Sequence, residues 1–261
     1  MGPAEALAIF AAGGAAGAVN AVVGSGSLIT FPTLLAFGLP PVVANVSNNV
    51  GLVPGNVSGA FGYRRELAGQ RDRLSRLGVI AAAGSVAGAV ALLSLPSSSF
   101  QVIVPVLILI SCVLVVIQPW LSGRIAVRRQ QRAGQDGGAQ PGRERTGLAL
   151  GAGVFASASY GGYFGAAQGV LVIGLLGTFL DESLQRVNGA KNVLVTVVNG
   201  TAAIVYVAFA HVDWLVAVLI AVGSTIGGLV GARYGRRLPP LALRVFVVVI
   251  GLISAVKLIF F

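Results

Sequence analysis

The sequence predicts an all-α polytopic membrane protein of two inverted-topology repeats, each with a short interrupted helical hairpin followed by spanning helices. Three observations favour this fold class. Of the 261 residues, 56% are hydrophobic and only 10% are charged, which is unlike a soluble domain. Long apolar runs recur along the chain, and three asparagines recur in the same register in its second half.

Apolar runs of nearly spanning length are spread over the whole chain. They lie at about 76–95, 100–121, 193–210, 214–232 and 241–261. Most of them approach the ~20 residues that cross a bilayer as an α-helix. We therefore predict a multi-pass membrane protein.

Basic residues indicate how the helices are oriented. Most of the 18 lysines and arginines form three clusters: Arg64, Arg65, Arg71, Arg73 and Arg76; Arg124, Arg128, Arg129, Arg132, Arg143 and Arg145; Arg233, Arg236, Arg237 and Arg244. Because basic loops stay on the cytoplasmic side, we predict that residues 64–76, 122–145 and 233–240 are cytoplasmic and both termini are extracytoplasmic. The net charge of +10 is then explained by basic residues in cytoplasmic segments, and no nucleic-acid partner is expected.

A polar, Gly-rich segment divides the chain into two halves. Its composition predicts a cytoplasmic linker at 122–145, between a first repeat at 1–121 and a second at 146–261. The first half then enters the membrane from outside and the second from inside, which is the arrangement of inverted-topology repeats.

The asparagines provide a check on this repeat. Asn45, Asn49 and Asn56 recur 143 residues later, and the same offset places Gly26 on Gly169; the recurring asparagines are Asn188, Asn192 and Asn199. The alternative is a coincidental spacing in a sequence of low diversity.

Each half is predicted to begin with an interrupted hairpin around GSGSLITFP (24–32) or GAAQGVLVI (165–173). The apolar stretches that follow the glycines, 27–37 and 169–180, correspond to ~17 Å of helix, about half a bilayer. We expect a hairpin that turns back near the midplane from each side, with a kinked pair of tilted full spans as the alternative. Non-helical backbone at this depth must be packed in protein or line a cavity. The two tips should therefore face each other at a polar site.

The predicted substrate site combines these tips with the recurring asparagines. Glycine lets the backbone approach a ligand closely, and free N–H groups at the start of a short helix favour anions. The candidate binding residues are Gly24, Ser25, Gly26, Ser27, Asn49, Asn56, Gln168, Gly169, Asn192 and Asn199. The alternatives are close helix packing for the small residues and interhelical hydrogen bonding for the asparagines.

Depth in the membrane gives two further expectations. Asn56 and Asn199 each lie ~11 residues into a predicted helix, so we expect them to reach one level near the bilayer centre from opposite faces. Lys191 is expected to extend to the cytoplasmic headgroups, with attraction of an anion as the alternative.

Titratable residues argue against an enzyme. With one histidine, His211, and one cysteine, Cys112, neither a metal cluster nor a catalytic pair can be assembled, so we expect no catalysis, no metal and no cofactor. No acid falls in the middle of a predicted helix, which leaves no visible carboxylate proton relay. The absence of a G-x-x-x-x-G-K-[ST] motif favours secondary transport over ATP-driven transport.

Four segments carry a resemblance to a known family: GSGSLITFPTLLAFGLPPVVANVSNNVGLVPG, GYRREL, YGGYFGAAQGVLVIGLLG and LQRVNGAKNVLVTVVNG. With them, nearly the whole chain resembles the TauE/SafE family of sulfite and organosulfonate exporters. The chain departs from the glycine-rich hallmark of that family at Ser25 and Ser27, and at Ala166, Ala167 and Gln168.

The resemblance implies a permease that moves a small sulfur-containing anion, such as sulfite or an organosulfonate, across the cell (inner) membrane. With the predicted inverted repeats, we expect a secondary transporter, and an exporter, that works by alternating access at a midplane site. A permease for a different small anion is one alternative, and a non-transporting membrane scaffold or assembly factor is another. The expected partners are the small anionic substrate and the lipid bilayer, and a homo-oligomer is an open alternative.

Overall fold

The computed structural model describes residues 1–135, 148–180, 182–234 and 240–260, and every regular element in these ranges is an α-helix. The helices are α1 (Pro3–Val22), α2 (Ser27–Ala36), α3 (Pro41–Gly62), α4 (Arg71–Ser94), α5 (Ser97–Gln135), α6 (Leu148–Tyr163), α7 (Gln168–Phe179), α8 (Leu184–Phe209), α9 (Trp214–Tyr234) and α10 (Pro240–Phe260).

The predicted all-α polytopic fold is confirmed. Among the described residues, five helices are long and apolar enough to cross a membrane: Pro3–Val22, Arg71–Ser94, Ser97–Trp120, Leu184–Phe209 and Trp214–Tyr234. The 22-residue helix α3 is not among them. Its asparagines lower its hydropathy, and all of them are buried against other helices.

The helix α5 corrects the predicted linker. It continues to Gln135, so the residues of the linker from 122 to 135 are helical. Arg, Ala and Gln dominate this stretch and are good helix formers, which explains why the helix does not end with the apolar run. The rest of the predicted linker, 136–145, lies outside the described residues.

The interrupted hairpins are present in both halves. The helices α2 and α7 have 10 and 12 residues, which gives ~15 and ~18 Å at 1.5 Å per residue. Neither can cross a ~30 Å hydrocarbon core. Their lengths favour a re-entrant hairpin over a pair of tilted full spans.

The helices of the two halves pack in matching ways. The helix α1 packs against α9, and α6 against α4; α3 also packs against α9, and α8 against α4. The pairs α5–α7 and α10–α2 match as well. Exchanging the first five helices for the last five therefore converts each of these pairs into its partner.

Close glycine contacts show which helices run parallel. Gly13 of α1 lies against Ile220 of α9, and Gly17 lies against Ser224, so the two helices run in the same direction. A Cβ atom on Gly17 would overlap the backbone of Ser224. These glycines therefore serve close helix packing, as small residues do between membrane helices.

The equivalent helices α3 and α8 run in opposite directions. The Asn49 amide lies 3.5 Å from the Asn199 carbonyl oxygen, while farther along α3 the hydroxyl of Tyr63, just past its end, accepts a 2.9 Å hydrogen bond from Asn188. As the contact moves forward from Asn49 to Tyr63, its partner moves back from Asn199 to Asn188. This antiparallel arrangement supports an inverted relation between the halves, which stays a prediction.

Aromatic packing holds the first short helix against the second tip. The ring centroid of Phe31 in α2 lies 5.2 Å from that of Phe164, with the rings nearly perpendicular. Phe100 of α5 contacts Phe164 from another side at 6.3 Å. Edge-to-face pairs of this kind stabilise by about 0.5–1.5 kcal/mol beyond area burial. They help fix where the two tips meet.

An ion-pair cluster joins the two halves at the predicted cytoplasmic face. Arg73 of α4 lies 3.0 Å from one oxygen of Glu182, and Arg186 of α8 lies 2.6 Å from the other. Burial raises the pKa of Glu182, but hydrogen bonds from Arg186 and Arg73 and their charges lower it more, so its pKa lies below its ordinary value. The cluster places the first basic loop beside the start of α8, as the predicted topology requires.

This cluster predicts a pH-dependent stability. Because the folded state lowers the pKa of Glu182, its stabilisation is present above the unfolded pKa and is lost as the pH falls through the folded value. We expect the thermal midpoint of Glu182→Gln to fall less than that of the wild type between about pH 6 and pH 3. The ion pairs of Glu182 should contribute no more than about 1 kcal/mol to the free energy of unfolding, since the carboxylate is partly exposed.

The exposed Asp72 provides the control for this measurement, because it is an acid near the same face. Asp72→Asn should follow the wild-type pH profile. Identical acid profiles for Glu182→Gln and the wild type would show that the cluster contributes nothing to stability.

Candidate functional site

The two tips touch through their backbones. The N–H of Gly169 donates a 3.1 Å hydrogen bond to the carbonyl oxygen of Gly24. A Cβ atom built on either residue would lie 2.5 Å from the Cα of the other. Only glycine allows this approach, so the prediction that the tips face each other is confirmed.

The same turn forms both tips. The N–H groups of Val23 and Gly24 both donate to the Val19 carbonyl, at 2.7 and 3.1 Å. In the second half, Phe164 and Gly165 donate in the same way to Tyr160, at 2.9 and 3.1 Å; Gly24 and Gly165 have φ values of +85° and +79°. Glycine adopts this left-handed conformation at little cost, which explains its presence at both turns.

This shared turn corrects the predicted alignment of the tips. Gly24 is equivalent to Gly165 and Ser27 to Gln168, so the offset here is 141 residues and Gly26 does not match Gly169. The helix α7 is two residues longer than α2, which restores the offset of 143 in α3 and α8.

Asn20 connects the first tip to α3. Its amide nitrogen donates a 2.6 Å hydrogen bond to the Asn56 side-chain oxygen, and its own side-chain oxygen accepts one of 3.2 Å from the Gly26 N–H. Sequence reasoning missed Asn20. The sequence did contain a signal: a polar asparagine, which is unfavourable to bury, lies within an apolar helix four residues before the glycine turn.

Asparagines of α8 reach both α3 and the first tip. The Asn192 amide donates a 3.2 Å hydrogen bond to the carbonyl of Ala21, in the last turn of α1. Asn199 instead faces Asn49 across the α3–α8 interface, at 3.5 Å. All three of these asparagines are buried.

The expected common level of Asn56 and Asn199 is wrong. The helix α3 begins at Pro41, so Asn56 lies ~22 Å along it rather than ~16 Å. Asn199 lies opposite Asn49, and seven residues of helix separate Asn49 from Asn56, or ~10 Å. Proline at the first helical position starts α3 earlier than the polar residues suggested.

The expected position of Lys191 is also wrong. Its side chain is fully buried at 0% exposure, and its ammonium donates to the carbonyls of Asn20 and Ala21, at 2.9 and 3.2 Å. Carbonyls in the last turn of a helix lack intrahelical donors, so α1 offers acceptors that a headgroup-facing lysine would not find. The side chain also lies against Gly169, whose added Cβ would be 3.1 Å from the lysine Cδ.

Several predicted site residues keep buried polar atoms without a hydrogen-bond partner in the protein. These atoms are Ser25 Oγ, Asn49 Oδ1, Asn56 Nδ2, and Gln168 Nε2 and Oε1. Ser27 is also buried, at the first residue of α2. Unpaired buried groups are rare and costly in native proteins, so the unpaired atoms of Ser25, next to Gly24, and of Asn56, bonded to Asn20, mark a place where a polar ligand would be stabilised.

The structure thus divides the predicted site residues into two levels. Gly24, Gly26, Asn56, Gly169 and Asn192 form one hydrogen-bonded cluster through Asn20 and the end of α1. The Asn49–Asn199 pair forms the second level, two helical turns away along α3.

Metal ligands do not gather at this site. Within the described ranges, no group of three or more His, Cys, Asp or Glu residues could hold a metal ion. The expectation that the protein works without a metal or cofactor stays a prediction.

Curated relatives are similar over nearly their full length. The chain is 23% identical to a "Probable membrane transporter protein" of Haemophilus influenzae over 255 residues, covering 97% of this chain and 93% of that protein. It is 22% identical to "Probable membrane transporter protein YfcA" of Escherichia coli over 246 residues, covering 94% and 86%. It is also 24% identical to "Probable membrane transporter protein ORF9" of Sinorhizobium sp over 251 residues, covering 96% of this chain and 90% of that protein.

A family match agrees with the resemblance seen in the sequence. No solved structure matches the chain. Residues 9–258 match the family described as "Sulfite exporter TauE/SafE", and they include both tips, α3 and α8. The chain therefore belongs to the TauE/SafE family.

Proposed function

We propose that this multi-pass membrane transporter exports a small sulfur-containing anion, such as sulfite or an organosulfonate, by secondary transport. The family description, "Sulfite exporter TauE/SafE", supports this substrate class. The names of the curated relatives support membrane transport without naming a substrate.

The observation that carries the proposal is the contact between the two glycine tips. Ser25 follows Gly24 and has an unpaired buried hydroxyl, while Gln168 precedes Gly169 and its unpaired amide lies against Gly161 of α6. Asn56 adds an unpaired amide nitrogen from α3. A desolvated anion needs donors of this kind, because hydrogen bonds to a charged group are about twice as strong as those between neutral groups.

The helix directions support an alternating-access mechanism. In such a mechanism, two inverted repeats rock against each other around a site at their interface. The antiparallel pair α3–α8 and the exchange of neighbours between the halves fit this arrangement. We propose that rocking opens the contact between the tips to one side of the membrane at a time.

The proposed orientation predicts a labelling pattern. With Cys112 replaced by serine, a cysteine at Ala4→Cys should react with a membrane-impermeant thiol reagent added to intact cells. A cysteine at Asp136→Cys should react only after permeabilisation, because basic segments stay cytoplasmic. Labelling of Asp136→Cys from outside would overturn the proposed inner-membrane orientation, with both termini extracytoplasmic.

Flux into proteoliposomes tests the proposed function. We expect saturable uptake of labelled sulfite or sulfoacetate by vesicles that contain the protein, and none by empty vesicles. A non-transporting scaffold would show no flux of any anion. Equal flux of nitrate or acetate, without competition by sulfite, would favour a permease for a different small anion.

A further inference from the structure

Lys191 is the one buried charged side chain in the described part of the chain. It lies in α8, seven residues after the start of the helix, with its ammonium against the end of α1 and its stem against Gly169. The lysine therefore contacts the last turn of α1 and the second tip, whose Gly169 bonds to Gly24 of the first tip.

No acid compensates this charge among the residues that the structure describes. The two hydrogen bonds of the ammonium go to backbone carbonyls, and neither described ion pair includes it. The described acids lie at helix ends or in loops: Glu5, Glu66, Asp72, Glu182 and Asp213. A buried charge without a counter-charge is costly within a membrane, and intramembrane charges are usually functional for that reason.

The end of α1 accounts for only part of the environment of Lys191. A helix C-terminus carries roughly half a negative charge, so the carbonyls of Asn20 and Ala21 favour an ammonium. Because this partial negative charge is smaller than the full charge of the ammonium, the cluster keeps a net positive charge. The unpaired atoms of Ser25 and Asn56 add polarity but no negative charge.

We propose that the Lys191 ammonium is the counter-charge for the transported anion. The anion would lie at the junction of the tips, where the ammonium offers the full positive charge and the unpaired atoms of Ser25 and Asn56 offer hydrogen bonds. This assignment rests on the proposed anion transport and adds its source of charge selectivity. The lysine then distinguishes an anion from a neutral molecule of the same shape.

Two probes of similar shape test this charge selectivity. Isethionate carries a sulfonate anion, and 2-(methylsulfonyl)ethanol is its uncharged sulfone counterpart. Binding to the purified full-length protein is measured by calorimetry. The wild type should bind isethionate at least about tenfold more tightly than the sulfone, and Lys191→Met should lose most of this preference through an isethionate affinity weakened by about ten- to a hundredfold.

A matched control removes one positive charge outside the site. Arg124 is exposed and stacks on Trp120, so Arg124→Gln should keep the wild-type affinity and preference. The thermal midpoint of ligand-free Lys191→Met should stay near or above that of the wild type, because replacing a buried uncompensated charge by an apolar side chain is often neutral or stabilising.

Each outcome bears on the proposal directly. Equal isethionate affinity in Lys191→Met and wild type, with a lowered thermal midpoint, would show that the lysine only caps α1. Equal binding of isethionate and the sulfone by the wild type would overturn the proposal without any variant. Absence of both isethionate binding and sulfonate flux in the wild type would instead contradict the proposed function, and this proposal with it.

Discussion

Gly24→Ala is expected to abolish anion flux, whereas Gly38→Ala should leave it close to wild type. Both glycines have positive φ angles, +85° and +81°, so alanine at either position carries the same left-handed strain of roughly 1–2 kcal/mol. They differ in what a Cβ atom would meet. At Gly24 it would lie 2.5 Å from the Gly169 Cα, and at Gly38 nothing lies within 4 Å.

The comparison therefore isolates the contact between the tips. All three atoms nearest to that Cβ are backbone atoms of Gly169, which cannot move aside as a flexible side chain does, so the hydrogen bond from Gly169 should break. Flux is measured in proteoliposomes at equal amounts of folded, monodisperse protein. If Gly24→Ala transports as well as Gly38→Ala, close contact of the tips is unnecessary for transport.

The elements that follow from local sequence rules were predictable. The lengths of the apolar runs predict spanning helices, and an apolar stretch too short to span, placed after a glycine turn, predicts α2 and α7. That the two tips face each other follows because irregular backbone inside a membrane must pack against protein or line a cavity, although the pairing of Gly24 with Gly169 does not follow from the sequence. These arguments need only the chain itself and the thickness of a bilayer.

Properties that depend on tertiary partners were not predictable. Lys191 was expected at the headgroups because nothing in its own helix shows that α1 ends beside it with unpaired carbonyls. The partner of Asn199 depends on the register between α3 and α8, which intrahelical spacing does not fix. The end of α5 at Gln135 was missed because helix propensity, rather than hydropathy, extends it.

Substitution of Asn56 by leucine should weaken binding of isethionate by about ten- to a hundredfold. Its amide nitrogen is buried without a partner in the protein, beside the cluster that holds Lys191. Leucine is nearly isosteric and removes a donor to a desolvated anion, which contributes roughly 1.5–3 kcal/mol. Asn199→Leu should have a smaller effect if the anion occupies the level of Asn56, because Asn199 lies about two turns away.

Asn45 provides the matched control on the same helix. It is a buried asparagine whose amide already donates a 3.0 Å hydrogen bond to the Tyr163 carbonyl. Asn45→Leu should lower the thermal midpoint, because it leaves that carbonyl unpaired, while the folded protein binds isethionate normally.

The pattern across the three variants decides between a binding site and helix packing. If Asn56 only joins helices, Asn56→Leu should behave like Asn45→Leu, with a loss of stability near the ~0.6 kcal/mol average for membrane side-chain hydrogen bonds and an unchanged affinity. Loss of affinity in Asn56→Leu alone would place the anion at the level of Lys191 and Asn20. Equal loss in Asn56→Leu and Asn199→Leu would require an anion site that spans both levels of the α3–α8 interface. Unchanged affinity in both would contradict a shared site between the two halves, since each half would then have lost a candidate binding asparagine without consequence.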